Sequence, residues 1–113
     1  MVTVTMLQRN GRSVGFLSDG HAGYGEAGED IVCSAISALT QTCLLGLTDV
    51  VGLSERQLNW SCDDKTGITC ILSSDTDGEQ QTKAELLFQT MEAGLNSIKE
   101  SYRKSLKIRH REV

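Results

Sequence analysis

Apolar residues recur with a period of two from the start of the chain. Val2, Val4 and Met6 fall on one side, Thr3, Thr5 and Leu7 on the other, which predicts a strand over 1–9. Asn10-Gly11 follows. That dipeptide marks a tight hairpin, because both central positions of a type I′ turn need positive φ. A returning strand is expected over 12–18, with Val14 and Phe16 alternating against Ser13 and Gly15. Both faces of this hairpin carry apolar residues, so the pattern leaves its buried face open.

The period then changes. Residues 29–47 are apolar at Ile31, Val32, Ala35, Ile36, Ala38, Leu39, Cys43 and Leu47, a helix apolar over most of its circumference and therefore central. Glu29 and Asp30 stand in its first turn, where carboxylates complement the helix dipole, and Gly46 helps to end it. A connection over 48–55, with room for a short helical turn, leads to a third strand over 58–63, with Leu58, Trp60 and Cys62 expected inward. A turn at 64–67 and a fourth strand with Ile68, Cys70 and Leu72 inward come next. With a loop of 65–67, Cys62 lies opposite Cys70. The pair reads as reduced core thiols facing the first helix, with a regulatory disulfide as the alternative.

The last long element spans 79–102. Ala84, Leu87, Phe88, Met91, Leu95, Ile98 and Tyr102 recur at helical spacing against a polar face, as in an amphipathic helix lying on a sheet. Leu106 and Ile108, alternating with Lys107 and Arg109, predict a short edge strand, with His110 solvated. The order is ββ-α-ββ-α-β. It implies one α+β domain over 1–113, two layers deep, with two helices on a mainly antiparallel sheet.

Composition narrows the function. The net charge of −4 argues against direct nucleic-acid binding, which calls for a basic face. No apolar run approaches the roughly 18 residues of a membrane span, and the first ten residues lack the features of a secretory signal. A cytoplasmic protein without a membrane partner is expected. The cysteines at 33, 43, 62 and 70 show no CxxC spacing, and the histidines at 21 and 110 are far apart. A zinc site is therefore not indicated, and no cofactor is called for.

Candidate chemistry concentrates in 20–37. Gly20, Gly23, Gly25 and Gly28 punctuate a loop over 19–28 that also holds His21, and the loop feeds the helix carrying Cys33. Long loops inside compact domains tend to be functional. Cys33 lies in about the second turn of the helix, where backbone dipoles favour a thiolate, and an imidazole within reach would favour it further. Asp30, Cys33 and Ser37 share one helix face at i, i+3 and i+7. Asp30 opposes the thiolate directly but would support catalysis if it orients His21. Ser37 is placed to donate a hydrogen bond to sulfur or substrate. Against this, a cysteine on an apolar helix is most often a core residue.

Gly20-His21-Ala22, then Gly28-x-Asp30, then Cys33 and Ser37 resemble the signature of the ribosomal-processing cysteine proteases, the Prp family. The resemblance extends over nearly the whole chain, through GLSE after the first helix, the Asp63-Asp64 turn and Gln89 to Met91. Ser34 departs from it, standing where the family pattern has alanine. The resemblance implies a homodimeric cytoplasmic endopeptidase. It implies removal of the N-terminal extension of a large-subunit ribosomal protein, the twenty-seventh, during ribosome assembly. It further implies Cys33 as nucleophile, His21 as general base and then acid, and Asp30 and Ser37 in support. The substrate loop would carry Gly20, Ala22, Gly23, Gly25 and Gly28 and close over the peptide, and Glu26 and Glu29 are expected to meet substrate lysines. Three alternatives stand beside this reading: a non-catalytic assembly factor that binds a ribosomal protein, a thiol hydrolase acting on a small ester or amide, and a purely structural domain, which the paired His21 and Cys33 make the weakest of the three.

Overall fold

The structure, a computed structural model, describes residues 1–20, 29–63 and 67–113, without the side chains of Glu29 and Asp30. The elements follow the expected order: β1 (Val2–Arg9), β2 (Arg12–Asp19), α1 (Glu29–Leu45), β3 (Leu58–Asp63), β4 (Gly67–Leu72), α2 (Gly78–Ser101) and β5 (Leu106–Glu112). A π turn at Gly46–Val50 continues α1 directly, overlapping the connection in which a short helical turn was expected. Its Val51 N–H donates to Gly46 O at 2.9 Å. The strands form a single sheet in the order β3-β4-β2-β1-β5. All neighbours are antiparallel except β5, which runs parallel to β1.

The hairpin between β1 and β2 turns where Asn10 and Gly11 both take positive φ, 55° and 78°, as a primed turn requires. The face left open by the sequence pattern is settled by packing. Met6 lies beside Phe16 in the β1–β2 register. The Phe16 ring in turn meets Phe88 of α2 edge-on, with centroids 6.2 Å apart, a geometry that adds about 0.5–1.5 kcal/mol beyond area burial. Val2, Val4 and Met6 therefore face the helices, and with Val14, Val32, Ile36, Leu47, Leu72, Leu95 and Leu106 they form one core. Leu7, from the opposite parity, is also buried. The β1–β2 register shifts immediately after it. The two helices approach closely, since a Cβ on Gly94 would come within 3.1 Å of Leu39 Cδ1. Asp77 caps α2, its Oδ1 accepting from Gln80 N–H at 2.8 Å.

Four expectations need correction. Trp60 and Cys62 are exposed; only Leu58 of β3 is buried, because β3 is one of the two edge strands. Cys62 pairs with Ile68, and Trp60 with Cys70. The β3–β4 loop begins one residue earlier than expected, so each residue of β3 meets a partner two positions away. His110 Nε2 is 2.7 Å from Glu92 Oε2 of α2 rather than purely solvated. Finally, Ile31–Val50 is long and apolar enough, by length and composition, to cross a membrane. In the fold this stretch lays Val32, Ile36, Cys43, Leu44 and Leu47 into the core, but Ile31 and Leu45 remain 68% and 57% exposed.

Candidate active site

α1 begins at one end of the sheet, and its fifth residue is Cys33. Cys33 is half-buried, packed against the core yet open to a cleft of about 240 Å³. One wall of the cleft is α1 itself, presenting Cys33, Ile36, Ser37, Thr40 and Gln41. The opposite wall consists of strand ends: Val2 where β1 starts, Ser18 and Gly20 where β2 finishes, and Cys62, Asp63, Gly67 and Ile68 from the β3–β4 hairpin. The thiol thus sits at the start of the second turn of α1, facing the cleft.

Two glycines shape the far wall. Gly67 has φ +82°, and a Cβ there would lie 1.7 Å from the Ser18 carbonyl oxygen. Gly20 has φ +94°, and a Cβ there would lie 2.5 Å from Met1 O. Both positions need the left-handed region that glycine alone enters cheaply, and both need the missing side chain. This close backbone contact brings β2, β4 and the start of β1 together at the cleft.

Of the expected site residues, Cys33 and Ser37 lie one helical turn apart on the same wall. The Ser37 hydroxyl accepts from Gln41 Nε2 at 2.7 Å, which leaves its own O–H to donate. Gly20 sits on the rim opposite. The Asp30 backbone is in the first turn of α1, but its side chain lies outside the described residues, as does that of Glu29. His21, Ala22, Gly23, Gly25, Glu26 and Gly28 also lie outside them. Sequence reasoning missed the far wall: Ser18, Gly67, Ile68 and above all Cys62, taken there as a core thiol. The positive-φ glycine of the β3–β4 turn was the one signal pointing to it.

The cysteines divide by environment. Burial pushes the thiols of Cys43 and Cys70 up to about 12, with the nearby Cys43 adding to the effect at Cys70. Those two stay protonated and inert. Cys33 and Cys62 are the two that reach the cleft.

The family model described as "Cysteine protease Prp" matches residues 1–107. The ribosomal processing cysteine protease Prp of Staphylococcus aureus is 33% identical over 113 residues, covering 98% of this chain and all of its own. Among solved structures, the S. aureus essential ribosomal processing protease Prp in complex with a covalently linked product peptide superposes with a TM-score of 0.74. It is 31% identical, over 98% of this chain and all of that one. The same S. aureus protease with a substrate peptide gives 0.76 at 29% identity, with the same coverage. SMU.848 from Streptococcus mutans gives 0.79 at 25% identity, over all of this chain and 96% of that one.

Proposed function

Because the chain belongs to the cysteine protease Prp family and is a cysteine protease, we propose that it cuts the N-terminal extension from a large-subunit ribosomal protein, the twenty-seventh, with Cys33 as nucleophile and His21 as its base. The observation that carries this reading is the place of Cys33, at the start of α1 and open to a cleft between helix and strand ends. The S. aureus relatives, solved with a substrate peptide and with a covalently linked product peptide, support a peptide as occupant and a covalent bond to enzyme in the cycle.

In this mechanism His21 takes the Cys33 proton and the sulfur attacks the scissile carbonyl carbon. The oxyanion forms where backbone N–H groups of the glycine segment can donate to it. Collapse breaks the C–N bond as His21 returns its proton to the leaving amine, leaving a thioester on Cys33. Water, deprotonated by His21, then releases the acid and the thiol. Asp30 orients His21, and the Ser37 hydroxyl donates toward sulfur or substrate. The glycines at 20, 23, 25 and 28 let the segment from Gly20 through Ala22 to Gly28 close over an extended peptide. These steps need no metal or cofactor.

A homodimer is part of the same proposal. Ile31, Ala38 and Leu45 are spaced by sevens along the outer side of α1 and are exposed, an apolar stripe that a second copy would cover. A cytoplasmic location is supported by four free thiols, which a reducing compartment preserves. The acidic net charge favours a basic protein partner over nucleic acid.

The test is a cleavage assay with mass detection on the extended ribosomal protein of the same organism. Wild type is expected to make one defined cut that Cys33→Ala and His21→Ala do not make. Stable binding of the extension without a cut would replace this reading with an assembly factor.

A further inference from the structure

Cys62 has no role in the chemistry above, and its position is unusual for a cysteine. It is exposed, so it does not serve as core packing, and exposed free thiols are reactive liabilities. It lies one residue before the end of β3, on the sheet face shared with Leu58. That parity turns it toward the helix side, and it lines the same cleft of about 240 Å³ as Cys33, from the opposite wall. Cys43 and Cys70, held protonated by burial, are poor partners for either.

We propose that Cys62 is a resolving cysteine: when a peroxide oxidises Cys33, Cys62 captures the product as an intramolecular Cys33–Cys62 disulfide. This rests on Cys33 being the reactive thiolate. In the first step the Cys33 sulfur attacks one peroxide oxygen. An S–O bond forms as the O–O bond breaks, sulfur gives up two electrons, and the other peroxide oxygen leaves with a proton as water or an alcohol, with Cys33 now a sulfenic acid. In the second step the Cys62 sulfur attacks the sulfenic sulfur. The S–S bond forms, the S–O bond breaks, and the departing hydroxide takes the Cys62 proton as water. A cellular dithiol reverses the state by two exchanges, becoming the disulfide itself. Without a resolving thiol, further peroxide would carry Cys33 to the sulfinic and sulfonic acids, from which no thiol reductant recovers it. The disulfide therefore closes the cleft and preserves the nucleophile.

The experiment treats the full chain, as wild type and as Cys62→Ser, with a small excess of hydrogen peroxide. Peptides are then mapped without reduction, and each sample is assayed before and after dithiothreitol. Wild type is expected to lose activity, yield a Cys33–Cys62 linked peptide lighter by two hydrogens, and regain most of its own untreated activity on reduction. Cys62→Ser is expected to gain two or three oxygens on Cys33 and regain almost none. Over-oxidised Cys33 in wild type, or Cys62 bonded only to Cys62 of another chain, overturns the proposal. The map reads the bond itself, whereas the functional reading fails on a separate result, undiminished cleavage by Cys33→Ala.

Discussion

Replacing Gly67 by alanine tests how the cleft is built, with Gly52→Ala as its control. Both glycines have nearly the same backbone angle, φ +82° and +81°, but a Cβ at Gly52 meets nothing within 4 Å, whereas one at Gly67 lands 1.7 Å from Ser18 O. Holding an alanine in the left-handed region costs about 1–2 kcal/mol in either place. At Gly67 the β2 and β4 backbones must also part by more than an ångström. That strains the Ser18–Ile68 and Asp63–Gly67 pairings, and two weakened ladder hydrogen bonds at about 1 kcal/mol each bring the total to roughly 3–4 kcal/mol. A domain of this size holds on the order of 6–17 kcal/mol, so both variants should fold. Urea unfolding at unchanged m-value reads the difference. Because Gly67 and Ser18 both face Cys33 across the cleft, an ångström of displacement should also lower kcat/KM by about a hundredfold in Gly67→Ala and leave Gly52→Ala near wild type. Equal stability losses in the two variants, or full activity in Gly67→Ala, would refute the claim that backbone contact at Gly67 sets the cleft.

Two further outcomes follow from the same structure. Cys43 and Cys70 ionise near 9.0 when exposed but at about 12 in the fold. Below pH 9 both states keep these protons; between pH 9 and 12 the unfolded chain sheds protons that the fold retains. Stability should fall with rising pH by up to about 1.4 kcal/mol per unit for each thiol, and Cys43→Ala should make the decline in urea midpoint shallower between pH 8 and 10. An unchanged decline would remove the buried thiols as its cause. For the dimer, Leu45→Glu places a charge on an exposed apolar stripe, so it should fold but sediment as a chain of 12.3 kDa while wild type sediments at twice that mass. A monomeric wild type, or a dimeric variant, refutes that interface.

The elements were legible because each carries its period for long enough. The Asn10-Gly11 turn and α2, found one residue from the expected ends, needed only local sequence. β3 shows where such reasoning stops. Alternation correctly grouped Leu58, Trp60 and Cys62 on one face, but whether a face is buried depends on what lies over it. β3 ended as an edge strand, a fact fixed by the whole strand order. The register error had a smaller cause. Gly67 was counted in the loop, yet its positive φ is compatible with pairing to Asp63, so the ladder begins earlier and Cys62 meets Ile68. The site divided in the same way. The helix start that delivers Cys33 is local and was readable, while its opposite wall is assembled from residues 2, 18, 20, 62, 63, 67 and 68, which only the sheet brings together.

That wall changes what the thiol chemistry must contend with. A cysteine at a helix start gains nucleophilicity from the same dipole whichever electrophile arrives. The cleft that admits a peptide carbonyl also admits a peroxide, which is much smaller. Burial is the usual protection for a cysteine, and this fold applies it to Cys43 and Cys70 by holding them protonated. It is unavailable to a nucleophile, whose function requires both exposure and ionisation. The remaining protection is chemical: a second thiol within the same cleft that converts an over-oxidation hazard into a reversible bond. Cys62, exposed on an edge strand and opposite Cys33, is the described residue whose type and place meet that requirement.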